Sequence, residues 1–528
     1  MRKKKIMGLL LAIIISSSSM TACADEYGDT YIKNGSIVES ENFTSDDDFT
    51  KIKPLDENYN MIYDYGKGFA MKYPNNMNVD TKLSEVKTTM SNKDMTIEVF
   101  YDSFYNTPAT SQAYINYSNG FMKNTKDHKK EYESHLKIRG RKVHVLKWSR
   151  DKLDRVENDK NYYVCVEIEK NDKEVYTIFM KSSTPFPNYE SYMDIINSFN
   201  LIEKKATPKI NTTFKQNNRK FNKETEDFYN KYFLQSDKLK WGIFEYTTKS
   251  NMDFLNQLEN RIDYELDFLV RYQSLSNTAD VPLEELKMAY SENKFVELTL
   301  QTIYNDDRDN SSVQYDILKG KYDDYLNKYA RDIKSFGHPV LFRFNNEMNG
   351  DWCLYSSYHF SKDTEIFKET WKYVYSIFEK NGVDNALWVW NPHDGSFPNF
   401  NWNHYLNYYP GDEYVDIVGL TGYNAGTYYP GETWRGFKEI YDPLYDEYVG
   451  LFEQPLMITE FGSNSVGGDK IAWINEMFDT MKKYDRIKVA IWWNGIDWDP
   501  DKNPARIYRL DQSEAMLDTF KNRLKEYK

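Results

Sequence analysis

The sequence predicts an α/β protein: a (β/α)8 barrel filling the C-terminal part of the chain, preceded by a smaller α+β domain. Two observations carry this reading. From residue 224 to 528, eight short apolar runs alternate with longer stretches of helical period, which is the arithmetic of a barrel built from βα units. Upstream, from residue 59 to 203, short β-branched and aromatic runs follow one another with two helical patterns among them. Most of the downstream runs are apolar at successive positions, as parallel strands covered on both faces must be. No run is followed by a glycine-rich phosphate loop, so a doubly wound open sheet lacks support.

Taken in order, the chain begins MRKKKIMGLLLAIIISSSSMTAC, a basic start, an apolar stretch from Ile6 to Ile15 and then small residues. The apolar stretch is shorter than the ~20 residues that a bilayer span needs, and residues 1–23 read as a targeting segment. Met20-Thr21-Ala22-Cys23 resembles a bacterial lipobox, with methionine where leucine is usual. That resemblance implies lipidation of Cys23 and an extracytoplasmic protein anchored to the cell membrane. Residues 24–58 are polar and acidic without an apolar period, and are expected to form a flexible tether.

The α+β domain is assigned to residues 59–203. Its candidate strands are GFAMKYP, MTIEVFY, KVHVLKW, YYVCVEIE and EVYTIFMK, and its helical patterns are ATSQAYINYSNGFMKN and YESYMDIINSF. The stretches FAMKYPNNMNV and YMDIINSFNL resemble those of sandwich domains related to the photosystem protein PsbP, a likeness that names a fold without a chemistry. Residues 204–223, KKATPKINTTFKQNNRKFNK, are basic and amide-rich and are expected to be a linker, leaving residues 224–528 to fold alone. The eight barrel strands are KWGIFEY, LDFLVRYQ, FVELTLQTI, HPVLFRF, ALWVW, VDIVGL, QPLMITEF and VAIWW.

A net charge of −13 without a basic stripe argues against nucleic acid and favours a neutral substrate. The 44 tyrosines and 12 tryptophans supply flat faces for packing or for stacking on sugars. Beyond Cys23 only Cys165 and Cys353 remain, so there is no disulfide framework and no zinc spacing. The seven histidines show no ligand spacing either.

Two barrel strands share a layout of proline, apolar run and terminal carboxylate: His338-Pro339 to Asn346-Glu347, and Gln454-Pro455 to Thr459-Glu460. Active sites of such barrels lie at the C-terminal ends of the strands, where two carboxylates from different strands can flank one glycosidic bond. Two carboxyls held close cannot both ionise easily, so one stays protonated as the acid while the other attacks. Arg343, on an otherwise apolar strand, is a candidate to hold the attacking carboxylate ionised, or equally a member of a structural ion pair.

FRFNNEMNGDW, ITEFG, VGLTGYN and AIWWN resemble motifs of glycoside hydrolase family 26, over about residues 238–528. The resemblance implies a retaining endo-β-glycanase with Glu347 as acid/base and Glu460 as nucleophile. It implies that Tyr423 orients the nucleophile and that Trp352 and Trp492 are sugar platforms, with Trp493 turned away into packing. Arg343, Asn346 and Trp390, which sits late enough on its strand to line a cleft, complete the expected substrate-binding set. The family usually has histidine where this chain has Asn346, which loosens the inference to β-1,4-mannan. A β-glucan, a β-xylan or an exopolysaccharide are the alternatives, as is a surface lipoprotein that binds glycan without cutting it. A polysaccharide partner, a monomeric chain and a mechanism needing no metal or other cofactor complete the expectation.

Overall fold

The structure, a computed structural model, describes residues 28–39, 42–187, 189–276 and 280–528. Cys23 and the expected targeting segment lie outside them. Among the described residues no helix is long and apolar enough to cross a membrane.

The C-terminal half is a closed parallel barrel of eight strands. In chain order these are β1 (Lys240–Phe244), β2 (Phe268–Ser274), β3 (Phe295–Gln301), β4 (Val340–Phe344), β5 (Ala386–Trp390), β6 (Ile417–Asn424), β7 (Leu456–Ser463) and β8 (Ile487–Trp493). Side chains alternate across each strand. Phe268, Val270, Leu341, Val389, Met457, Val489 and Ile491 fill the interior. Their neighbours, such as Phe342, Trp388, Ile458 and Trp492, point outward beneath the helices. The barrel is therefore a packed core with no pore.

Its N-terminal end is stoppered. The helix Lys223–Tyr229 is capped by Asn222, whose side chain accepts from the Thr225 amide. That helix and the turn Asn230–Leu234 press Phe228, Tyr229, Tyr232 and Phe233 into the same interior cluster. Residues 204–223, expected to be a linker, are instead bound throughout. Lys205, Thr207 and Asn211 donate their amides to Tyr65, Asp47 and Lys82 of the N-terminal domain, and the stretch from Phe214 onward is bound to this end of the barrel. Phe214 stacks on Phe452 at 4.9 Å between ring centres. The Arg219 guanidinium, 7% exposed, donates to Ala386 O at 2.7 Å, Val383 O at 3.0 Å and Glu379 at 2.9 Å, and pairs with Asp416 at 3.4 Å. Asp416 is buried and accepts from the Trp388 amide and from Asn217. Composition reports polarity, and here the polar groups are spent on barrel carbonyls and a buried carboxylate.

The N-terminal half is built from two antiparallel sheets. The larger has seven strands in the spatial order Asn78–Asp80, Thr88–Ser91, Met95–Ser103, Glu174–Ser182, Tyr162–Asn171, Arg141–Ser149 and Lys129–Ile138. The smaller has six, in the order Asn200–Leu201, Phe69–Pro74, Tyr59–Asp64, Phe49–Pro54, Thr30–Lys33 and Ser36–Val38. All five expected strands and both expected helices are present, the helices as Ser111–Ser118 and Tyr189–Ser198. The expectation of a flexible tether over 24–58 is corrected from residue 30 onward. Thr30–Lys33 pairs with Phe49–Pro54, which pairs with Tyr59–Asp64. Few apolar residues are needed there, because Ile32 and Phe49 are buried and the rest of the attachment is backbone pairing.

The two halves are joined by a buried polar interface. After β4 the chain reaches Ser361 and Lys362, both in the left-handed region (φ 61° and 54°), and carries Lys362 and Asp363 into the N-terminal domain. Lys362 Nζ lies 3.0 Å from Glu167. Asp363 accepts from Tyr163 at 3.0 Å and from Lys181 at 2.9 Å. Trp148 donates to Ser361 and Trp402 to Ser118. Phe100, Tyr114, Leu146 and Trp402 belong to one apolar cluster across the junction. These contacts do not describe a barrel that stands by itself from residue 224. At the rim, Tyr117 of the N-terminal domain donates to Asp351, next to Trp352.

Candidate active site

On β4 the inward positions are Leu341 and Arg343, and the backbone then leaves the strand abruptly. Asn345 and Glu347 both take positive φ, 49° and 55°, a region non-glycine residues enter at a cost. Asparagine tolerates it, and the Asn345 side chain is held by the amide and hydroxyl of Thr302 at 2.8 and 3.0 Å. Glu347 is held by its amide, which donates to Asn391 O at 2.7 Å. The turn delivers the Glu347 carboxyl into a cleft of about 960 Å³ at the C-terminal end of the barrel, lined also by Tyr272, Asn346, Trp352, His393 and Glu460.

Glu460 reaches the cleft by a different device. Ile458 and Phe461 both face outward, so simple alternation would turn Glu460 outward with Ile458. The β6–β7 register pairs Leu420 with Ile458 and Thr421 with Glu460, leaving Thr459 unpaired between them. This bulge, in which Thr459 bonds back to Leu420 O at 3.1 Å, re-aims Glu460 inward.

Three donors converge on Glu460. Arg343 Nη1 lies at 3.1 Å, Asn346 Nδ2 at 3.4 Å, and the Tyr272 hydroxyl donates to the second oxygen. Arg343 is fully buried and is not among the cleft-lining groups; it supports Glu460 from beneath, which corrects its expected contact with substrate. Its guanidinium also meets Glu297 at 2.7 Å. Burial pushes Glu297 up to about 8 against the pull of Arg343, with the Glu460 charge adding to the rise. Burial thus biases Glu297 toward its neutral form, which leaves more of the guanidinium charge to Glu460.

Glu347 is in the opposite situation. Burial pushes its carboxyl up to about 7; the His393 ring draws it down, and the Glu460 charge raises it further. His393 Nε2 is 3.8 Å from Glu347. Burial disfavours the imidazolium, yet its partner Asp394 at 3.0 Å and Glu347 itself lift His393 to about 9. Asp394 is held in turn by Arg435 at 2.7 Å.

Among the expected binding residues, Asn346 lines the cleft. Its Oδ1 accepts from Gln301 at 3.0 Å and from Tyr355 at 3.2 Å, which orients the amide so that Nδ2 faces Glu460. Trp352, 49% exposed, stands beside Phe397 and His393 at 5.2 and 5.1 Å between ring centres. A Cβ at Gly350 would come within 2.5 Å of the Trp352 ring, so glycine is required for this pose. Tyr423 lines the cleft, but the tyrosine that donates to Glu460 is Tyr272. Trp492 is buried outside the barrel against Phe461 and Phe520. Trp493, expected to pack away from the site, lines the cleft and stacks on Phe244 at 5.3 Å. The parity of β8 explains the exchange, since Val489 and Ile491 face inward and Trp493 shares their side. Trp390 is likewise buried outside the barrel, among Tyr405, Tyr409 and Phe452, because Leu387 and Val389 take the inward face. Tyr272, Gln301, His393 and Asp394 went unnoticed in the sequence; for Tyr272, parity with Phe268 and Val270 was the available signal.

Residues 292–493 match the family model described as Glycosyl hydrolase family 26. Endoglucanase H of Acetivibrio thermocellus is 32% identical over 199 residues, covering 36% of this chain and 22% of its own length. A mannan endo-1,4-beta-mannosidase of Bacillus subtilis is 31% identical over 173 residues, covering 31% of this chain and 41% of its own length. The chain thus spans less than half the length of each of these relatives. A solved structure of a Bacillus subtilis mannanase aligns over 58% of this chain and 93% of that chain, at 20% identity and a TM-score of 0.41. With the two glutamates brought to one cleft at the end of an eight-stranded barrel, the match has a structural setting: the segment that matches the glycosyl hydrolase family 26 model carries both Glu347 and Glu460.

Proposed function

We propose that the protein is a retaining endo-β-glycanase acting on β-1,4-mannan-type polysaccharide. The observation that carries the reading is the contrast between two carboxyls in one cleft. Glu460 is surrounded by the donors Arg343, Tyr272 and Asn346, whereas Glu347 has no such donors among the described residues, sits half-buried at the cleft wall and has its carboxyl raised to about 7. Glu460 attacks the anomeric carbon while Glu347 gives its proton to the departing sugar oxygen. Glu347 then takes a proton from the water that releases the glycosyl-enzyme. The exposed face of Trp352 and the ring of Trp493 offer stacking surfaces to flanking sugars.

A β-glucan is the second reading, favoured by Asn346 beside the acid/base and by the likeness to an endoglucanase. A reducing-sugar assay of residues 24–528 against mannan, lichenan, xylan and cellulose separates the two; activity on none would leave a glycan-binding protein. For the mechanism, Glu460→Ala with azide should give a glycosyl azide of inverted configuration. Glu347→Ala should spare activated aryl glycosides and give azide products of retained configuration. The opposite stereochemistry in either variant would overturn the roles.

The reading places this activity outside the cytoplasm on a lipid tether at Cys23, supported by the basic, apolar and small-residue order of residues 1–23. Membrane retention and normal processing of Cys23→Ala would remove that part.

A further inference from the structure

A second constellation lies on the N-terminal domain, away from the cleft. Glu133 and His135 are two apart on the strand Lys129–Ile138 and so share a face, and His144 of Arg141–Ser149 is paired directly opposite His135. One ligand atom from each of the three comes within 4.8 Å of the others, and the two imidazole rings are 4.9 Å apart.

What distinguishes this group from a chance surface cluster is what stands behind it. His144 is 5% exposed, and its Nδ1 lies 2.8 Å from Glu167. Glu167 is fully buried and pinned by Lys362 and Asn119, each at 3.0 Å. The Lys362 ammonium is ion-paired with it, so it faces His144 as a carboxylate. An ionised carboxylate can only accept, so Nδ1 must carry the proton and Nε2 is the atom turned toward Glu133, at 3.2 Å. A carboxylate fixing the far nitrogen of an imidazole is the usual support of a metal-ligating histidine.

We propose that Glu133, His135 and His144 form a binding site for a borderline divalent transition cation of the zinc class. Two imidazoles and one carboxylate suit Zn2+, Ni2+ or Cu2+ and disfavour the all-oxygen cations Mg2+ and Ca2+. His144 is the fixed ligand. His135 and Glu133 are exposed and free to swing in to the ~2.0–2.2 Å that zinc requires, with solvent at the fourth position. Lys130 engages the other oxygen of Glu133 at 2.9 Å, leaving Oε1 to the ion. Binding replaces the direct contact between His144 Nε2 and Glu133 and ties the edge strand to its neighbour.

The test is calorimetric titration of the untagged full chain, stripped with EDTA, with ZnCl2 and with MgCl2, together with the visible absorption of Co2+ added in place of zinc. One zinc per chain, no magnesium binding and a Co2+ spectrum showing nitrogen ligation are expected. His135→Ala, a surface change that leaves the fold intact, should weaken zinc beyond the ~10–100-fold that losing an outer partner costs. Glu133→Gln should weaken it as well. Absence of stoichiometric zinc binding, or equal affinity in the parent and in His135→Ala, would overturn the proposal.

Discussion

Replacing His393 by Asn tests the electrostatics of the proposed acid directly. The imidazolium stands 3.8 Å from Glu347, and the two side chains are 14% and 16% exposed. At an effective dielectric of ~20, a unit charge pair at that distance is worth about 4 kcal/mol, or about three pH units. Water entering the cleft reduces this, and about one unit is the smallest shift consistent with the geometry. The sign follows from the chemistry. Glu347 acts as acid only while protonated, so kcat/KM should fall as pH rises through about 7. His393 draws that value down; without its charge the Glu347 pKa rises, and the basic limb moves to higher pH. The assay is a kcat/KM profile on a soluble glycan for parent and variant, with a melting curve to establish that Asp394, still held by Arg435, has not unfolded its loop. A basic limb that stays in place or moves to lower pH would refute the assignment of His393 as a cation beside the acid.

Three further outcomes are expected. Arg219→Ala leaves Asp416 buried without its cation and several barrel carbonyls without a donor, and should cost about 3–5 kcal/mol in chemical denaturation, although it lies at the opposite end of the barrel from the cleft. Trp352→Ala should raise KM on long glycans up to about tenfold, the worth of one stacked ring, with kcat little changed; a fall in kcat alone would remove Trp352 as a platform. The fragment 224–528 should be insoluble or melt far below the full chain, because it exposes Trp402 and strands Lys362 and Asp363 without partners; a stable, active fragment would show the interface to be dispensable.

The eight barrel strands were legible because continuous apolar runs bounded by helical period have no competing explanation, and Glu347 and Glu460 were legible because each ends such a run. The tryptophans were misplaced for the converse reason. Trp390 was assigned by its position along a strand and Trp492 by family resemblance, whereas the face is set by alternation with the inward-facing Val389 and Ile491. Glu460 is the instructive case, since strict alternation would have turned it away from the cleft. The Thr459 bulge that corrects its direction leaves no mark in composition. The strands between residues 30 and 54 escaped notice because edge pairing is made by the backbone. Lys129–Ile138 escaped because its alternation is between exposed and half-buried residues. His135 and His144 could not be associated before the hairpin register set them opposite one another.

The Tyr117–Asp351 contact has a thermodynamic corollary. Asp351 belongs to the same short turn as Trp352, so a sugar seated on that ring and a tyrosine reaching across from the other domain order one segment between them. If each favours the same loop arrangement, the two events are coupled, and the coupling is reciprocal: oligosaccharide should tighten the closure of the domains by the same factor by which closure tightens its binding. Local opening at the domain junction, followed by amide exchange around Tyr117, would then report cleft occupancy from a position no sugar touches.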